Sequence, residues 1–131
     1  GEAEVHTFSK EPAGNAKPRY VQYHQTTFGV PGSGLVDWAQ RLGHANSTIH
    51  LLKMDIEGAE EFVYEELFRG NQCNLDILHL NVESHQSPSL PKQMEIERQL
   101  VELCHLEKFE QDVNHKSNTG MLFEHSYARL D

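Results

Sequence analysis

The chain has 131 residues, with 11 Lys+Arg against 20 Asp+Glu, a formal net charge of −9. That length suits one domain rather than two, large enough to bury a core without staples. The acidic balance argues against nucleic acid, which recruits cationic side chains, and against an anionic membrane surface; no apolar run is long enough to span a bilayer.

No basic-then-apolar stretch opens these residues, so no signal peptide is expected within them. The first residue is Gly, as in a processed product or a piece of a longer chain. Residues 4–8 (EVHTF) alternate and predict a short strand. Pro12, Gly14, Asn15 and Pro18 then predict a loop. Residues 20–28 (YVQYHQTTF), rich in aromatic and β-branched types, predict a second strand, broken by Gly29, Pro31, Gly32 and Gly34. Ser33 is placed to cap a short helix through Leu42, closed by Gly43. Trp38 on that helix reads as packing. Residues 49–54 (IHLLKM) form an apolar run that stops at Asp55, the profile of a strand buried on both faces.

After Gly58, the residues Ala59, Phe62, Val63 and Leu67 predict a helix ended by Gly70, with Glu57, Glu60 and Glu61 at its positive end. Residues 75–82 (LDILHLNV) predict another apolar strand, stopping at Glu83. Pro91 opens a further helix with a stripe of Met94, Ile96, Leu100, Leu103 and Leu106. Residues 109–113 and 121–127 predict two late strands around a polar turn. The order β-β-α-β-α-β-α-β-β implies an α/β fold, with a mostly parallel sheet and a C-terminal antiparallel hairpin. In such sheets ligands bind beyond the carboxyl ends of the strands. That places Ser9, Glu11, residues 27–29, 55–60 and 83–85 at the candidate site.

The segment LLKMDIEGAE, residues 51–60, carries the most chemistry. A buried strand delivers Asp55 to the sheet edge, and Glu57 and Glu60 follow at once. Gly58 lets the backbone turn or approach a ligand closely. Such an acidic loop can hold a divalent cation, accept a proton or bind a cationic ligand. Asp55 ends a buried strand, where a carboxylate is costly without a partner.

LLKMDIEGAE resembles the signature of FkbM-type methyltransferases, which use S-adenosylmethionine. The resemblance extends over nearly the whole chain. EVHTF is similar to the second strand of that fold and RYVQYHQTTFG to the third, while LVDWAQRLGH and the strand after it resemble the animal methyltransferase-like branch. ILHLNVESH is similar to the next strand, and FEQDVNHKSNTGMLFEHSY to the terminal hairpin of class I methyltransferases. The resemblance implies a Rossmann-like class I sheet running from its second strand to its hairpin over residues 1–131. The family's first strand and glycine-rich turn would lie upstream of Glu4. The acidic residue usual after the second strand is replaced by Phe8 and Ser9, with Glu11 two positions beyond Ser9.

Carried over, the resemblance implies S-adenosylmethionine as cofactor, with Phe8, Ser9, Glu11 and Asp55 on its side of the pocket. Asp55, Glu83 and His85 are the catalytic candidates, His85 as general base because imidazole titrates near neutrality. Glu57, Gly58 and Glu60 form the signature loop. The implied reaction is methyl transfer to an oxygen of an acceptor that the sequence does not name. Loss of the central first strand would leave its two neighbours with open edges that invite self-association. Two other functions fit the same residues: a non-catalytic binding module on this fold, and a hydrolase holding a divalent metal on Asp55, Glu57 and Glu83.

Cys73 and Cys104 lie 31 positions apart, neither a metal-ligand spacing nor a framework of several disulfides; a single disulfide stays open. His24, His44 and His50 could meet in space, but their spacing does not demand a metal. Asn46-Ser47-Thr48 is a glycosylation sequon, relevant if the chain follows the secretory route.

Overall fold

The computed structural model describes residues 4–9, 11, 13–14, 18–55, 60–85, 89–114 and 122–130. Strands β1 (Val5–Ser9) and β2 (Val21–Gln25) pair in parallel, Val5 opposite Val21 and Ser9 opposite Gln25. Helix α1 (Leu35–Arg41) follows. Its N-cap is Gly34 rather than Ser33: the Asp37 carboxylate accepts from the Gly34 N–H at 3.1 Å, while Ser33 Oγ accepts from Trp38 Nε1 at 3.0 Å. Gly43, at φ +77°, ends the helix as expected.

The run expected as one strand is two, β3 (Thr48–Ile49) and β4 (Leu52–Met54), broken at His50 and Leu51. Helix α2 (Glu60–Leu67) leads to β5 (Asp76–Ile77) and β6 (His79–His85), again one expected strand in two parts. Both pairings are parallel with the same residue offset, Thr48 opposite Asp76 and Met54 opposite Val82. The Leu78 N–H donates to the Ile49 carbonyl at 2.9 Å across the break. Helix α3 (Leu90–Cys104) ends at His105, which adopts the left-handed conformation. The hairpin of β7 (Leu106–Asn114) and β8 (Leu122–Arg129) completes an order β4-β6-β8-β7. The architecture is therefore α/β, with mixed sheets and a C-terminal antiparallel hairpin.

Side chains alternate across a strand, so register assigns the faces. Met54, Leu80, Val82, His125 and Tyr127 share a buried face. Val63 and Leu67 of α2 and Ile96 and Leu100 of α3 join the same core. Lys53, Asn81, Glu83, Glu124 and Ser126 occupy the opposite face, which is polar. The strand ending at Met54 is thus not buried on both faces: Leu51 and Lys53 are exposed.

Cys73, beyond α2, and Cys104, the last residue of α3, form a disulfide with Cα atoms 5.1 Å apart. Tyr127 is satisfied within the core, accepting from Gln93 Nε2 at 3.0 Å and donating to Glu97 Oε1 at 3.2 Å. Lys108 Nζ meets the same Glu97 oxygen at 2.6 Å.

His125 has a less complete environment. It is 5% exposed, and its Nδ1 is buried without a hydrogen-bond partner among the described residues. Burial, helped by the Lys108 charge, pushes its imidazole below the ordinary value. The unfolded chain therefore binds a proton at this position more readily than the folded one, and stability falls as pH drops through the histidine range near about 6.5. Thermal melts from about pH 7.5 down to about pH 5 should show this acid-side loss, and His125→Phe should flatten it.

Candidate functional site

Where β4 ends, its parallel register with β6 brings two carboxyls side by side, although β6 does not stop at Glu83 as expected but runs on to His85. Met54 lies opposite Val82, so the next residues, Asp55 and Glu83, lie opposite one another. Their side chains are within hydrogen-bond reach. A hydrogen bond between two carboxyls needs a proton. Antiparallel pairing with β8 sets Glu124 opposite Glu83. Asn81 Nδ2 donates to Glu124 Oε1 and to Ser126 Oγ, each at 3.0 Å, and so fixes this neighbour.

Glu83 is half-buried, and its carboxyl is held above the usual carboxylate range. Burial is the main cause, followed by Asp55 and Glu124; Lys53 works in the opposite direction. The pair can thus hold a proton at higher pH than a lone carboxylate and release it to or accept it from a ligand.

Glu83 binds its proton more tightly in the folded chain than in the unfolded one, so stability falls as pH rises above the ordinary carboxylate value. At neutral pH, Asp55→Asn and Glu83→Gln should each raise the melting temperature by about 1–3 °C after allowance for solvent screening. The double substitution should gain less than the sum, because both relieve one repulsion. Calorimetry near pH 7 checks this, and the gain should shrink near about pH 4.5.

Phe8 packs its ring against His24, Phe28 and Trp38, with centroids 4.8–5.1 Å away. Trp38 is a packing residue, as expected, and Arg41 lies over its ring at 4.8 Å. Ser9 and Glu11 build a turn at the carboxyl end of β1: the Glu11 N–H donates to Ser9 Oγ at 3.1 Å, and the Tyr23 hydroxyl donates to the Glu11 carbonyl. Glu60 is buried at the start of α2, not on a solvated face. The backbone of His85 ends β6 opposite Leu122. Glu57 and Gly58 lie outside the described residues.

Glu124, Asn81 and Lys53 do not stand out in the sequence. The alternation in FEHSY, HLNVE and LKM is the available signal, since it sets each on the face of Glu83 once register is known. Of the three histidines that could meet, His24 and His44 each approach His6, and His44 also approaches Glu4. No family model matches the chain, and no curated protein or solved structure is significantly similar to it.

Proposed function

We propose that this chain is the second-strand-to-hairpin part of a class I, FkbM-like methyltransferase that transfers a methyl group from S-adenosylmethionine to an oxygen acceptor. One observation carries the reading: the placement of the break in strand pairing. The segments resembling the second and third strands, β1 and β2, pair with each other. Those resembling the fourth and fifth, β3–β4 and β5–β6, pair likewise, and the hairpin follows. Among the described residues, no strand joins β1 to β4. The family's first strand would occupy that position, and its glycine-rich turn would supply the cofactor cradle.

Asp55 lies just past the carboxyl end of β4 and Glu83 faces it from within β6, toward the edge of the parallel pair where open α/β sheets bind ligands. In this reading Asp55 faces the sulfonium or the acceptor, and the ionised pair takes up the acceptor's proton more readily than a lone carboxylate, while catalysis rests mainly on alignment. Ser9 and Glu11 close the β1 end of the same crevice on the ribose side.

Calorimetry with S-adenosylmethionine tests the reading, on this chain and on the chain preceded by the coding sequence upstream in its gene. Binding only by the longer protein, lost in Asp55→Asn, is the expected result. Binding by neither overturns it. A thermal response to magnesium that Asp55→Asn removes would instead favour a divalent-metal hydrolase.

A further inference from the structure

At the opening end of β1, away from Ser9, four side chains from three segments converge. Glu4 precedes β1 and His6 lies within it; His24 belongs to β2, and His44 follows α1. His6 Nε2 lies 2.8 Å from Glu4 Oε1, and His44 Nε2 lies 3.1 Å from that same oxygen. The three ligand atoms all fall within 4.8 Å of one another. On its far side, the His6 ring places Nδ1 2.9 Å from His24 Nε2.

We propose that Glu4, His6 and His44 form a binding site for a zinc-type divalent transition metal, with His24 as the positioning residue of His6. The donor set is two imidazoles and one carboxylate, which suits zinc and its neighbours; magnesium and calcium select all-oxygen sites. Tetrahedral zinc holds such ligands about 2.0–2.2 Å away and hence roughly 3.3 Å apart. The Glu4–His6 and Glu4–His44 distances are already close to that, so small side-chain rotations complete the set. Three protein ligands leave a fourth position for solvent.

The His44 geometry supports this assignment. Its Nε2 is shielded from solvent and makes no well-aligned hydrogen bond among the described residues, despite its nearness to Glu4. The His24 contact supports it independently. A metal-bound histidine usually donates its other N–H to a neighbour, which fixes the tautomer and ring orientation. With Nε2 on the metal, His6 Nδ1 carries the proton and donates to His24 Nε2. The ion would fasten the segment before β1 to the turn after α1, joining parts far apart in sequence.

Zinc titration of the full chain by calorimetry, with thermal melts and the visible spectrum of the cobalt-loaded protein, tests the proposal. One equivalent of zinc should bind and raise the melting temperature, while magnesium does neither. Glu4→Gln and His44→Gln, both at partly exposed positions, should each weaken zinc at least about tenfold. His24→Gln should weaken it by about tenfold or more yet keep the tetrahedral cobalt spectrum, as a positioning residue would. His79→Gln, on the exposed part of β6, should change nothing. Zinc affinity unaltered in the Glu4→Gln/His44→Gln double variant overturns the proposal, as does failure of the wild-type chain to bind zinc at all.

Discussion

Replacing Cys73 and Cys104 by serine should lower the stability of this chain by at least about 3–4 kcal/mol, of which the loop-closure entropy released by a crosslink over 31 residues is the main part. For a chain of this length that is a fall in melting temperature on the order of 10 °C. The bond joins the segment after α2 to the end of α3, so it holds both helices against the strands between them. Cys104 is itself buried, and Cys73 packs against the core. The serine pair therefore adds two hydroxyls in an apolar setting to the lost constraint. Melts of the oxidised, reduced and double-serine proteins separate the two contributions. The reduced wild type should fall short of the oxidised form by the crosslink alone, and the serine variant should be lower still.

A second large effect is expected where α1 meets α2. Glu66 is buried, and its Oε1 accepts from the Val36 N–H in the first turn of α1 at 2.7 Å. A side chain from one helix thus caps another, satisfying a donor that α1 cannot pair within itself. Burial holds the Glu66 carboxyl above the usual range, against the pull of the Val36 N–H. Gly34 makes room for this arrangement: a Cβ there would sit 2.5 Å from both Glu66 oxygens. Its φ of −95° is open to any residue, so contact, and not backbone conformation, requires the glycine.

Gly34→Ala should then cost about 2 kcal/mol by displacing the carboxylate. Glu66→Ala should cost about 2–3 kcal/mol, through the lost cap and a stranded N–H. Because Glu66→Ala also clears the space that the methyl group added at Gly34 needs, the double variant should lose less than the sum, and denaturant titrations of the four proteins measure that coupling.

The order of elements is legible because hydrophobic period and turn residues agree along most of the chain. What the sequence conceals is long-range. IHLLKM is apolar almost without interruption, so it does not announce the break at His50–Leu51, and its exposed Lys53 faces the polar partner Asn81 across the sheet. The stripe expected along α3 includes Met94, yet that residue is 62% exposed. Counting at 3.6 residues per turn from Ile96 and Leu100 leads to Cys104 instead, and Met94 lies two residues from Ile96, on another side of the helix.

The candidate site divides in the same way. Asp55 and Glu83 are visible as carboxylates that close apolar runs, although β6 continues past Glu83; their meeting depends on the parallel register, and Glu124 joins them only through the hairpin. Two lone cysteines carry no geometry, so their spacing leaves the bond between them open. His6 is hidden because alternation gives its face but not its companions.

The Cys73–Cys104 bond also bears on how the protein is made. Disulfides persist in oxidising compartments and are lost where glutathione and thioredoxin keep thiols reduced. The same secretory route exposes Asn-X-Thr sequons to glycosylation, and Asn46 lies on the surface in the turn after α1. Chain recovered from secreting cells should therefore run heavier by one glycan, shifted back by its enzymatic removal, and show no free thiol under denaturing, non-reducing conditions. Chain made in a reducing cytosol should carry two thiols and no sugar, and should melt like the reduced protein until it is oxidised.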